Sequence, residues 1–178
     1  SVMLNGHASC SGLIIDIRNN SGGKMDKAHT FATHFTNEKV LIGYASHKTG
    51  KGRSDLSSPK AEYLEPASDG VRWQKPVVVL TNRAASPAAN DFVMCMKRCP
   101  HTTIMGDQTG GGSGMPFVSE LPNGWVVRYS AVIYYDSNMR HTEFGILPDV
   151  YLQMSGADIS QKRDTYIEKA REYLHNSK

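Results

Sequence analysis

The chain has 178 residues, 39% of them hydrophobic and 21% charged, the balance of an ordinary globular domain with one sizeable core. A formal net charge of +3, with lysines and arginines scattered along the chain, gives no electrostatic case for nucleic acid. No apolar run approaches the roughly 20 residues of a membrane-spanning helix, and three cysteines without His/Cys ligand spacing make neither a disulfide framework nor a zinc site.

The sequence opens SVMLNG, without an initiator methionine or a signal sequence, and reads as a fragment from which an export signal or a preceding domain has been removed. Gly12 to Ile17 (GLIIDI) is a short apolar run of the kind buried on both faces of a sheet, and it ends in the turn signal Arg18-Asn19-Asn20-Ser21-Gly22-Gly23. Met25, Ala28, Phe31, Ala32 and Phe35 then recur at helical spacing, and Val40 to Tyr44 reads as a second strand. That order predicts a parallel strand pair with a right-handed crossover. Residues 47–73 are polar, rich in Gly, Ser, Pro and Lys, and too long for an ordinary connection, so a surface excursion is expected there.

Pro76 to Leu80 restores a buried strand, and Ala88, Ala89, Phe92, Val93 and Met96 mark a helix after it. Cys95 and Cys99 lie one helical turn apart and read as small core residues. Thr103 to Met105 is a further short strand, followed by the glycine-rich run Gly106 to Gly114. Phe117, Val118 and Leu121 lead through Pro122-Asn123-Gly124 to a return strand over Trp125 to Tyr134, a hairpin signal. Ile159, Tyr166, Ile167, Ala170, Tyr173 and Leu174 share one face of a closing helix. The predicted architecture is a single α/β domain over residues 1–178, with a mainly parallel sheet, flanking helices and an antiparallel hairpin.

In such a sheet ligands gather at the carboxyl ends of the strands, and three loops qualify: 18–23, 84–87 and 106–114. Glycine-rich loops there can turn backbone N–H groups toward an oxyanion. Ser86 stands where a strand passes into a helix, a position that displays a serine nucleophile; Ser86-Pro87 equally fits the plain rule of an N-cap serine followed by a first-turn proline. Seven histidines are candidate bases, among them His141 beside Glu143, and nothing in the spacing puts any of them next to Ser86.

Taken together, GLIIDIRNNSGG, VVVLTNRAASPAANDF, IMGDQTGGGSG and HTEFGILPDV resemble, in order, four blocks of the C-terminal processing (tail-specific) proteases, nearest to the branch of the tricorn core and its bacterial relatives. The resemblance runs from about Gly12 to the closing helix. It implies the parallel-sheet fold related to ClpP and crotonases, and a serine peptidase that cuts polypeptides near their C-termini, with small hydrophobic terminal residues as substrates. It also implies an exported, periplasmic or envelope-associated bacterial protein, a missing N-terminal domain, and no cofactor or metal. By the same resemblance Gly22 or Gly23 lends an N–H to an oxyanion hole, and the residue after the nucleophile lends another. Gly111 or Gly112 stands where the processing branch has a general-base lysine, which excludes a Ser–Lys dyad. The tricorn-like branch uses a histidine from a preceding region and a glutamate just before the GI-PD block, which Glu143 matches.

The chain departs from the family at the nucleophile itself. Aligning on Phe92 and Gly106 puts position 87, a proline, in the nucleophile's place. Sliding by one restores Ser86, but the residue after it is then Pro87, which has no N–H to donate, so the Ala88 N–H has to substitute. The expectations are a serine peptidase using Ser86 and Glu143, a relative that binds peptides without cutting them, or a structural domain on the same scaffold.

Overall fold

Val77–Thr81 is buried at every residue, so it has to run through the middle of a sheet covered on both faces. In the computed structural model, which describes residues 2–177, this strand (β4) lies between β1 (Leu13–Asp16) and β5 (Thr102–Gly106), with β9 (Val150–Tyr151) beyond. All of these pairs are parallel, with Ile15 opposite Val79 and Val79 opposite Ile104. Side chains alternate across the sheet as the pleat requires. Val77 and Val79 join the main core with Phe35, Leu64, Trp73, Val93 and Ile104, while Val78 and Leu80 face a smaller cluster with Met105 and Ala170.

Helices cover both faces. α1 (Val2–Gly6) contributes the buried Leu4. α2 (Met25–Ala32), continued by a 3-10 turn over Thr33–Phe35, packs against α3 (Ala88–Met96) on the main-core side. Phe31 joins them: its ring meets Phe35 edge-on at 5.2 Å and stacks on Phe92 at 6.0 Å. On the opposite face α4 (Gly156–Ser160) leads to α5 (Thr165–Asn176). The Asp164 side chain caps α5 by accepting from the Tyr166 and Ile167 amides. It is held in turn by Arg18, which reaches Asp164 at 2.8 Å and also pairs with Asp16.

The structure redraws four of the expectations. β2 (Val40–His47) does not pair with β1; it forms a second, antiparallel sheet in the order β3-β2-β8, with β3 at Lys60–Leu64 and β8 at Val132–Asp136. Gly43 makes that sheet possible, since a Cβ there would stand 2.1 Å from the Tyr135 carbonyl oxygen. The 47–73 segment is accordingly an exposed loop only in part. It also supplies β3 and buries Leu64 and Trp73, and its polar composition reflects a strand with most of its residues facing water. The return strand breaks at Ala131: β7 (Val126–Ser130) pairs with β6 (Pro116–Glu120) in an isolated two-stranded sheet, and the chain then crosses into β8. Ile159 belongs to α4, is 61% exposed, and takes no part in the closing helix.

Phe35 is fully buried where α2 meets the core. Phe35→Ala should lower the unfolding free energy by about 3–5 kcal/mol, read as a lower denaturant midpoint with an unchanged slope.

Candidate active site

β1, β4 and β5 are neighbours and run in one direction, so the loops that follow them open at the same edge of the sheet. At that edge the Gly22–Gly23 loop, the Ser86–Pro87 turn and the Gly110–Gly114 run come into contact. Gly22 (φ +98°) is pressed so closely on the turn that a Cβ would lie 2.6 Å from the Ser86 carbonyl oxygen and 2.7 Å from Pro87 Cδ. On the other side, a Cβ at Gly112 (φ +82°) would lie 3.1 Å from Ser86 Oγ and 3.8 Å from Pro87 Cβ. Only glycine combines these conformations with this approach.

Ser86 is half-buried, and its backbone N–H donates to the Asn20 carbonyl at 3.0 Å. Its hydroxyl donates to the Gly111 carbonyl at 2.6 Å. The oxygen therefore faces the glycine-rich loop, and no histidine, lysine or carboxylate side chain hydrogen-bonds it among the described residues. Pro87, exposed and helical in backbone (φ −75°, ψ −37°), is the residue before α3 and sits between the two glycine loops. The hydroxyl makes no side-chain cap for α3, so the N-cap reading of Ser86 does not describe its bond either.

Beside the turn lies a cleft of about 340 Å³. Ile15, Ile17, Ala28, Phe31, Ala88 and Phe92 make its apolar walls, and Lys24 and Lys27 also line it. Gly22, Gly23 and Ala89 border it too. The N–H groups of Gly23, Ala88 and Ala89 have no hydrogen-bond acceptor among the described residues. A helix start and a glycine loop thus bring unpaired backbone donors to residues that line an apolar pocket.

Glu143 reaches this region through its backbone. Its carbonyl accepts from the Gly112 N–H at 3.0 Å, and its N–H donates to His141 Nδ1 at 3.3 Å, while the residue is exposed. Glu143, Gly111, Gly112 and Ser86 are therefore close neighbours, and His141 joins them through its bond with the Glu143 N–H, whereas His29 and His34 belong to the α2 region, where His34 bonds Asp69.

A set of buried polar residues that sequence reasoning did not single out fastens these loops. Asn90, fully buried in the first turn of α3, donates to Ser113 Oγ at 3.1 Å and to the Thr142 carbonyl at 3.3 Å, and accepts from Thr109 Oγ1 at 2.6 Å. Thr109 Oγ1 accepts in turn from the Ile146 N–H, and Ser113 donates to Asp91. The signal was present: Asn90-Asp91 interrupts an otherwise apolar helical run.

A parallel sheet whose carboxyl edge joins two glycine loops, a strand-to-helix serine and an apolar cleft has the layout of an α/β fold with its ligand site at the strand ends. The chain belongs to peptidase family S41, whose sequence profile matches residues 3–152. It is 25% identical over 168 residues to the carboxyl-terminal-processing protease of Synechocystis sp., covering 92% of this chain and 36% of that protein. It is 27% identical over 167 residues to a candidate tricorn-like protease C-terminal subunit of Sulfurisphaera tokodaii, covering 90% of this chain and 17% of that protein. The crystal structure of a candidate peptidase from Parabacteroides merdae superposes with a TM-score of 0.91 at 50% identity, over 97% of this chain and 55% of that one. The chain thus spans about a third or less of these two named relatives.

Two outcomes follow from the buried network. Asn90→Ala strands the partners of a fully buried amide and should lower unfolding free energy by about 2–4 kcal/mol, seen by chemical denaturation. Burial raises the Asp91 carboxyl above its ordinary range, with the Ser113 hydroxyl opposing part of the shift. A carboxyl of raised pKa holds its proton more tightly folded than unfolded, so its contribution is full below the unfolded pKa and is lost as pH rises through the folded one. Asp91→Asn, which keeps an oxygen for Ser113, should therefore flatten the decline in midpoint as pH rises above the ordinary carboxylate range.

Proposed function

We propose that this chain is the substrate-holding core of a serine-type peptidase, which takes the end of a polypeptide in the apolar cleft and needs residues beyond this chain for the cutting step. The observation that carries this reading is the set of unpaired Gly23, Ala88 and Ala89 amides at the edge of the cleft, next to the Ser86 turn. A terminal or near-terminal apolar side chain would enter between Ile15, Ile17, Phe31 and Phe92, a burial worth about 1.5–3 kcal/mol. Lys24 and Lys27 beside it favour the carboxylate of a chain terminus.

For bond cleavage the Ser86 hydroxyl would leave the Gly111 carbonyl by rotating to another staggered position. A base would take its proton, the oxygen would attack the peptide carbonyl carbon, and the amine would depart with a proton from that base. Water would then release the acyl group by the reverse sequence. Glu143, exposed and bonded through its carbonyl to the Gly112 N–H, would orient a base from outside the chain. The Ala88 N–H would serve as the donor that Pro87 cannot supply; a missing donor costs about 3 kcal/mol of barrier.

A second reading, polypeptide binding without cleavage, is favoured by one observation: it is Pro87, not a hydroxyl, that stands between the two glycine loops. A fluorophosphonate probe separates the two. The full-length protein should label at Ser86 and this chain alone should not, and Ser86→Ala should abolish labelling while leaving peptide binding intact. A full-length protein that binds peptides but stays unlabelled establishes the second reading, and one that does neither removes both.

A further inference from the structure

A different face of α2 borders a second cavity, of about 430 Å³, that the peptidase site does not use. Met25 from α2, Ile42 from β2 and Met94 from α3 give it apolar walls. Asp91 from α3 and Glu62 from β3 bring carboxylates into it, with Asp26, His29 and Tyr134 completing the lining. Asp91 is the telling member. It is only 6% exposed, yet its sole bonded partner among the described residues is the Ser113 hydroxyl, on one carboxylate oxygen, and no lysine, arginine or histidine pairs with it.

A carboxyl so deeply buried has its pKa raised by that burial, and a cation brought to it through the cavity would favour its charged form. His29 is not that cation, because burial lowers its pKa and leaves the ring neutral at physiological pH. The same burial, with Asp91 and Glu62 nearby, pushes the Tyr134 phenol up to about 12, so the hydroxyl stays protonated. The lining thus combines the carboxyls of Asp26, Glu62 and Asp91 with thioether and aliphatic side chains. No three His, Cys, Asp or Glu groups converge as metal ligands among the described residues. An alkyl stem ending in a cation matches what remains, the stem on flexible methionines and the head at the carboxylates.

We propose that this cavity is a second recognition site, which takes a lysine or arginine side chain of a bound polypeptide, with its stem between Met25, Ile42 and Met94 and its cationic head against Asp91 and Glu62. The site is independent of the cutting step and of the cleft beside Ser86. It would add a requirement for a basic residue to whatever polypeptide the protein holds.

The test is a titration of the chain, labelled with carbon-13 at its methionine methyls, using Nα-acetyl-lysine N-methylamide as the probe and the norleucine analogue, which lacks the ammonium, as the control. The lysine compound should shift the Met25 and Met94 methyls saturably and leave Met139, which does not line the cavity, unmoved. The norleucine compound should bind about tenfold more weakly or less. Glu62→Gln should weaken lysine binding several-fold without moving the unfolding midpoint, and Asp91→Asn should weaken it by about tenfold or more. No saturable shift up to about 50 mM, where a millimolar Kd is filled, overturns the proposal. So does norleucine binding as well as lysine, or affinity unchanged in both variants. Because Glu62 lies on a strand outside the buried network, its variant keeps the test decisive even if Asp91→Asn fails to fold.

Discussion

The site depends on one buried amide. Asn90 is placed in the first turn of α3, which is where two long-range segments have to be held if the carboxyl edge of the sheet is to become a site at all. Its amide group reaches the glycine-rich run through Ser113, the start of that run through Thr109, and the Glu143 segment through the Thr142 carbonyl. Glycine-rich backbone has little preference of its own and loses more freedom on folding than any other kind. A side chain that fixes both ends of such a run therefore decides where the Gly111 carbonyl stands, and that carbonyl decides which way the Ser86 hydroxyl points.

The same economy appears along β1. Its alternation sends Ile15 and Ile17 to the apolar cleft, and Asp16 and Arg18 to the opposite face. There Arg18 bridges Asp16 and Asp164, and its guanidinium lies 5.0 Å from the centre of the Tyr166 ring. The arginine holds both carboxyls below their ordinary range, and it is itself held more firmly protonated. One short strand thus carries a pocket wall on one side and the anchor of the closing helix on the other, which couples the docking of α5 to the position of the Gly22–Gly23 loop that follows.

Much of this was legible in the sequence, because buried parallel strands are written as continuous apolar runs. GLIIDI and VVVLT could not be satisfied at a surface, and the three loops after β1, β4 and β5 fell at one edge as that reading required. The peptidase family was legible through four ordered blocks, each weak alone. What escaped was pairing at a distance. β3 reads as a polar loop because only Leu64 of its residues is fully enclosed, and the break at Ala131 carries no turn signal, since the chain changes sheets without reversing. The Asn90 network was hidden for a related reason. Buried polar residues are recognisable only by their partners, and these lie 19 to 52 positions away.

At the Ser86–Pro87 turn the shape of the cleft and the direction of the hydroxyl are set by different atoms. The cleft is made of backbone amides and apolar walls fixed by packing: the approach of Gly22 to the turn is set by the Ser86 carbonyl and the proline ring, neither of which needs a hydroxyl. The Ser86 hydroxyl is a single oxygen whose direction is chosen by a short bond to the Gly111 carbonyl. A proline before the helix stiffens φ at that position and removes one donor, so it preserves the shape of the cleft while weakening the means of reaction. Nothing in the packing penalises that exchange. The fold can therefore keep the shape of the cleft whether the Ser86 hydroxyl stays on the Gly111 carbonyl or turns away from it.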